Sequence, residues 1–180
     1  MRRVLPIVAA SLLAACTLPP YTTPEQSFSV KYAMFVPSFT QGVPVPLLPA
    51  FDDKAAPSST VPIPKEAKTF KLAALELNLK MKNTGPVPLR IKIFLDRSSV
   101  SETDLYAKPP LGGNPGGTID LPRGGTEVVK VFPIDTTLLQ EENLRLGYTF
   151  GSPGTTQSVT FQDSDQVNVA YSIKATAKLF

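Results

Sequence analysis

The sequence predicts an all-β protein, an antiparallel sandwich of about seven to nine strands with one short helix. Three observations lead there. From Phe28 to Leu179, apolar side chains recur at every second residue in one run after another, the period of a strand buried on one face. Stretches rich in Gly and Pro separate these runs. Only Asp135 to Leu144 has the spacing of a helix start.

The first alternating run is Phe28, Val30, Tyr32, Met34 and Val36, a strand over residues 28–36. Residues 37–64 carry Pro37, Pro44, Pro46, Pro49, Pro57, Pro62 and Pro64. Proline has no N–H for a ladder, so a long irregular loop is expected there. Its middle, Gly42 to Phe51, is apolar. Either it covers an open edge or end of the sheet, or it presents Val43, Val45, Leu47, Leu48 and Phe51 to a partner.

The clearest pattern follows. Leu75, Leu77, Leu79 and Met81 share one face, and Glu76, Asn78, Lys80 and Lys82 the other. After Asn83-Thr84-Gly85-Pro86 the alternation resumes at Val87, Leu89, Ile91, Ile93 and Leu95. Two antiparallel strands joined by a four-residue turn are expected. Phe70 and Leu72 have the opposite parity, which requires a bulge near Ala73-Ala74. Residues 109–125 form mostly loop around a short strand at Thr118 to Leu121. Their Gly pairs lack the Gly-Lys-Ser/Thr ending and following helix of a phosphate cradle. Pro122 to Gly125 turns into a strand over 126–132, with Val129 and Val131 expected inward. In the helix at 135–144, Thr137 and Gln140 have capping-box spacing. Strands at 145–150 and 157–161, a turn at Asp163-Ser164-Asp165 and a last strand through Val167, Val169, Tyr171 and Ile173 complete the chain.

LKMKNTGPVPLRIKIFLD, residues 79–96, resembles a recurring element of bacterial surface domains with an immunoglobulin-like sandwich, in which a strand ends in an Asn-x-Gly turn. Late-embryogenesis water-stress domains share a related strand-Asn-Pro-strand pattern, from which Gly85 departs. The resemblance implies an immunoglobulin-like fold, and such folds host many functions.

The beginning of the chain says where the protein goes. Arg2 and Arg3 precede Val4 to Ala15, which carries no charge and is too short as a helix for a hydrocarbon core of about 30 Å. A charged head and an apolar run are the pattern of an export signal. Cleavage by the ordinary signal peptidase after Ala15 would place bulky Leu13 where a small residue is needed. Leu13-Ala14-Ala15-Cys16 instead resembles the lipobox of bacterial lipoproteins. That resemblance implies a diacylglycerol on the Cys16 sulfur, cleavage between Ala15 and Cys16, and a membrane anchor. Two or three acyl chains anchor stably, at about 0.8 kcal/mol per buried CH₂. Lipoproteins held at the inner membrane of diderm bacteria commonly have aspartate after the cysteine. Thr17 stands there, which implies the outer membrane if the host has one.

Composition narrows the chemistry. The 180 residues include no His, no Trp and one Cys. Without His the usual general base near neutral pH is missing, and with Cys16 lipidated so are Ser-His and Cys-His nucleophiles. Zinc sites of the Cys/His type go as well. No disulfide can form within the chain. Removing Arg2 and Arg3 with the leader leaves 16 basic against 15 acidic side chains, so no nucleic-acid surface is expected. Asp52-Asp53 and Asp163 with Asp165 are two acidic clusters, but neither has EF-hand spacing, and both are expected to cap turns. Tyr21, Tyr32, Tyr106, Tyr148 and Tyr171 are candidates for a glycan or peptide groove, with Tyr32 and Tyr171 placed in the core by their strand faces. No catalytic residue, metal or cofactor is expected.

The expected organisation is a signal peptide at 1–15, a lipidated tether at 16–25 and one β-sandwich domain at 26–180 with its Pro-rich loop at 37–64. The expected function is that of a membrane-anchored envelope lipoprotein, not an enzyme, which binds or scaffolds another envelope protein or a glycan. The alternative is a carrier of a small ligand or glycan, with a pocket between the sheets or under the Pro-rich loop.

Overall fold

A computed structural model describes residues 20–36, 40–63, 72–113 and 116–177. The chain is an antiparallel β-sandwich with one short α-helix. In order, the strands are β1 (Tyr21–Thr22), β2 (Gln26–Lys31), β3 (Pro44–Val45), β4 (Phe51–Ala55), β5 (Ser59–Pro62), β6 (Leu72–Asn83), β7 (Leu89–Arg97), β8 (Thr118–Leu121), β9 (Glu127–Pro133), β10 (Asn143–Ser152), β11 (Val159–Thr160) and β12 (Gln166–Ala177). Helix α1 (Glu102–Ala107) follows β7. The first sheet pairs β12 with β1 and β2 on one side and β6 on the other, and β9 forms the far edge. The second sheet has β4 and β5 on one side of β10, then β7 and β8. Short strands of two to five residues bring the number above the seven to nine that alternation alone reveals.

The core is where period-2 alternation places it. Leu75, Leu77, Leu79 and Met81 of β6 and Val167, Val169, Tyr171 and Ile173 of β12 are buried from the first sheet. Leu89, Ile91 and Ile93 of β7 meet them from the second sheet, with Leu144, Leu146, Tyr148 and Phe150 of β10. Phe28 reaches across, its ring 5.1 Å from that of Tyr148. The expected bulge is present: Thr176 pairs with Ala74 and Ala177 with Leu72, leaving Ala73 between them. Phe70 lies outside the described residues.

The strand order departs from the seven-strand immunoglobulin pattern at more than one place, β8 pairing with β7 rather than with β9. The β6–β9 and β7–β10 neighbours correspond to its B–E and C–F pairs. In that pattern the last strand joins the C–F sheet. Here β12 joins β6 instead, and β4 and β5 take the edge beside β10.

Several local expectations are corrected. The strands β6 and β7 are not a hairpin, because each belongs to a different sheet. Residues 84–88 carry the chain across the sandwich, and Pro86 and Pro88 have no N–H to offer a ladder. Buried Asn83 holds the crossing, donating to the Val87 carbonyl at 2.8 Å and accepting from the Gly85 N–H at 3.0 Å. The strand expected over 28–36 stops at Lys31. Tyr32–Met34 is a 3₁₀ turn, which buries Tyr32 and leaves Met34 exposed.

In β9 the parity is reversed. Pairing sets Phe132 opposite Leu77 and Val128 opposite Met81, so Phe132 and Val128 turn toward the core while Val129 and Val131 are exposed. A short run with apolar residues at 128, 129, 131 and 132 reads equally well in either parity, and the ladder to β6 chooses. Residues 136–140 form a 3₁₀ turn rather than an α-helix, capped by Asp135 accepting from the Thr137 N–H at 2.9 Å. The α-helix is α1, capped by Ser101 with Asp104 three residues on. The Pro-rich stretch is also not all loop, since it contains β3, β4 and β5. Finally, β1 pairs with β12 at Tyr21 and Thr22, so the stretch expected as a lipidated tether over 16–25 touches the sheet at those two residues.

Candidate functional site

The two ends of the sandwich are distinct. At one end Tyr21 enters the first sheet opposite Ala175. At the other, β2 stops at Lys31 opposite Gln166, and β6 stops at Asn83 opposite Val167. Ala175 lies eight positions along β12 from Val167, about 26 Å of strand.

Tyr32 closes the far end. Its ring lies 5.0 Å from that of Phe35 and 5.3 Å from that of Phe161. Its hydroxyl donates to Asn83 Oδ1 at 2.6 Å, with the Val87 carbonyl 3.0 Å away. Burial pushes the phenol well above its ordinary pKa, with the Asn83 hydrogen bond pulling it down and the Asp165 carboxylate adding a smaller upward push. A Cβ at Gly85 would sit 2.3 Å from the Tyr32 ring, so no larger residue fits there.

Around this plug lie two neighbouring clefts. One of about 550 Å³ is lined by Thr84, Pro86, Arg123, Ser158, Thr160 and Gln162 among others. The second, of about 330 Å³, runs past Lys31 and Asp163 and shares Gln162 and Asp165 with the first. Arg123 makes no ion pair with any described residue.

The segment expected to cover the sheet or face a partner lies at this end. β3 pairs with β11, and the Gly42 N–H donates to the Phe161 carbonyl at 2.9 Å. The five expected surface residues separate. Val43 is 50% and Leu47 62% exposed, while Val45 and Phe51 pack partly against the core. Leu48 is a correction: it is 2% exposed, held by its backbone bonds with Thr155, and presents nothing to a partner. Met34, missed as a surface residue, is 56% exposed at the same end. Both readings of the Pro-rich segment therefore have their residues, with β4 and β5 along the edge of β10 and Val43 and Leu47 in solvent.

The acidic clusters divide differently. Asp165 caps its turn, accepting from the Gln162 N–H at 2.8 Å. Asp52 and Asp53 lie on β4 rather than in a turn, where Asp52 pairs with Arg90 at 2.8 Å and Asp53 with Lys92 at 2.9 Å. The described residues bring no three His, Cys, Asp or Glu side chains together as a metal site. The tyrosines form no common groove: Tyr32, Tyr148 and Tyr171 are buried, Tyr106 is half-buried and Tyr21 is exposed. Ala15 and Cys16 lie outside the described residues. Among those described, no helix is long and apolar enough to cross a membrane.

Fold and site together define a class, a β-sandwich with a polar, cleft-bearing end beside exposed apolar side chains. No protein family and no curated protein matches the chain. A solved structure described as "Structure of Turnip Yellow Mosaic Virus at 100 K" is similar at 12% identity over 91% of this chain and 97% of that one, with a TM-score of 0.26. A likeness that weak carries no argument about function.

Proposed function

We propose that the protein is a lipid-anchored component of a bacterial cell envelope that binds or scaffolds another envelope component, a protein or a glycan, and catalyses no reaction. The observation that carries this reading is Leu13-Ala14-Ala15-Cys16 at the end of a charged and then apolar leader. In this reading the thiol of Cys16 takes the lipid and the Ala15–Cys16 bond is cut. Thr17 in place of aspartate favours the outer membrane in a diderm host.

The position of Tyr21 supports the reading. Tyr21 lies five positions after Cys16, and an extended chain of that length spans at most about 18 Å. A lipid on Cys16 holds the Tyr21 end of the sandwich close to the bilayer. Val43, Leu47 and Met34 then face away from the membrane as the surface offered to a partner. A second reading, a carrier of a small ligand or glycan, is favoured by the two clefts at that same end.

Intact-mass analysis of the protein recovered from cell membranes tests the anchor. The expected product lacks residues 1–15 and carries acyl chains, and Cys16→Ser gives an unlipidated chain. An unmodified full-length chain in the soluble cell interior overturns the reading. In cells, Val43→Asp with Leu47→Asp is expected to abolish crosslinking to the envelope partner while leaving lipidation and melting temperature unchanged. Unaltered crosslinking removes these two residues from the interface.

A further inference from the structure

The outer face of the second sheet has a gap. Leu146, Tyr148 and Phe150 of β10 point into the core, so Gly147, Thr149 and Gly151 point outward. Three small residues in succession open a trough between β4 and β7. Both ends of the trough are filled. A Cβ at Gly147 would lie 2.7 Å from Leu105 and 2.9 Å from Tyr106, so α1 rests on that backbone. A Cβ at Gly151 would lie 3.0 Å from Oδ1 of Asp52. Between these plugs, over Thr149, a cleft of about 260 Å³ stays open. That is just under the roughly 300 Å³ at which drug-sized sites begin.

The walls are polar and carry both charges. Lys92 donates to the Asp53 carboxylate at 2.9 Å, and Thr149 Oγ1 donates to it at 3.2 Å. Lys108 lines the cleft as well, its ammonium paired with Asp96. Tyr106 and Pro110 supply apolar wall. Asp53 reaches this position through an unusual backbone. Its φ of 52° is the one positive value at a non-glycine among the described residues. It occurs where Asp52 and Asp53 together oppose Gly151. A bulge of this kind re-aims a side chain, and a non-glycine residue keeps such a conformation only where its surroundings enforce it.

We propose that this cleft binds a single sugar residue, with Asp53, Lys92 and Lys108 taking its hydroxyls and Tyr106 and Pro110 its C–H face. A carboxylate accepts from one hydroxyl while an adjacent ammonium donates to the next. An apolar ligand would strip water from three charged groups without replacing their hydrogen bonds. A strongly anionic ligand has no surplus cation to meet, because each lysine already faces an aspartate. The site lies on the side of the sandwich, between neither the sheets nor the end loops, and its existence does not depend on lipidation of Cys16.

The experiment is a titration of glucose, galactose and N-acetylglucosamine, each in turn, into the ¹⁵N-labelled full chain held in a detergent without a sugar headgroup. At least one sugar is expected to give saturable shifts at the amides of Tyr106, Gly147, Thr149 and Gly151. Lys92→Met is expected to weaken that sugar about tenfold, a loss of about 1.4 kcal/mol. Ala55→Leu, which fills the cleft from β4 and removes no charge, is expected to do the same in a folded protein. Arg123→Ala, at the far end, leaves the affinity unchanged. Absence of saturable shifts with all three sugars overturns the proposal. So do shifts gathered at Thr84, Arg123 and Ser158, or unweakened binding by Ala55→Leu.

Discussion

Each sheet of the sandwich turns a row of apolar side chains inward, yet the outer faces have little in common. The first sheet shows solvent Ser27, Ser29, Asn78, Lys80, Asn168, Ala170 and Ser172, with only exposed or half-buried positions among them. The second sheet is covered outside as well: Phe94, Asp96 and Thr149 are buried there beneath α1 and the charged residues of β4. Alternation states which face of a strand goes into the core. It does not state that the other face stays in water. Residue size carries that second message, since Gly147 and Gly151 leave room for what covers them.

Matched substitutions test this difference. The largest effect is expected for Gly147→Val, whose side chain must displace Leu105 and Tyr106, at a cost of about 3 kcal/mol in urea unfolding. Ala170→Val, central on the outer face of the first sheet, is expected to change stability by no more than about 0.5 kcal/mol. Equal losses at the two positions would break the comparison.

Two buried tyrosines come next. Tyr32→Phe leaves Asn83 without its phenol partner and is expected to cost about 2 kcal/mol. The buried Tyr148 hydroxyl lies beside Ser59 Oγ, but the two make no hydrogen bond of good geometry and neither has another partner among the described residues. Tyr148→Phe is therefore expected to be neutral or to raise the melting temperature slightly. A loss as large as that of Tyr32→Phe would show that the hydroxyl has a partner after all.

The smallest effect concerns how α1 is tied to the β4–β5 connection. The Ser58 hydroxyl and, secondarily, its N–H hold the Glu102 carboxyl below its ordinary value of 4.5. A carboxyl lowered by folding stabilises the protein above its unfolded value, and that contribution is lost as pH falls through the folded one. Stability is thus expected to drop in acid below about pH 4.5. Ser58→Ala flattens that drop without abolishing it, because the backbone N–H remains. An identical acid profile in the variant would remove the Ser58 hydroxyl from the account.

Much of this was legible in residue order. The inward faces of β6, β7, β10 and β12, the bulge at Ala73 and the short β8 each follow from alternation or its interruption. The strands in the Pro-rich stretch were not, because β4 and β5 exist through pairing with β10, a strand some ninety residues away in sequence. Helix α1 carries a capping signal, Ser101 with Asp104, that is too short to show an apolar period. Of the surface residues, Leu48 and Leu47 are neighbours of the same type, and only backbone bonding to Thr155 decides which one is buried.

By itself the sequence determined which residues form the core of the long strands and that its 180 residues offer no histidine as a general base or metal ligand. Both depend on local period and on residue type, and neither needs knowledge of the partner strand. The three-dimensional structure alone decided that β6 and β7 part into different sheets, that β9 turns Val129 and Val131 outward, and that an open cleft remains over Thr149. Those are outcomes of pairing between distant segments, where hydrogen-bond register and the room left by small side chains select among patterns the chain satisfies equally well.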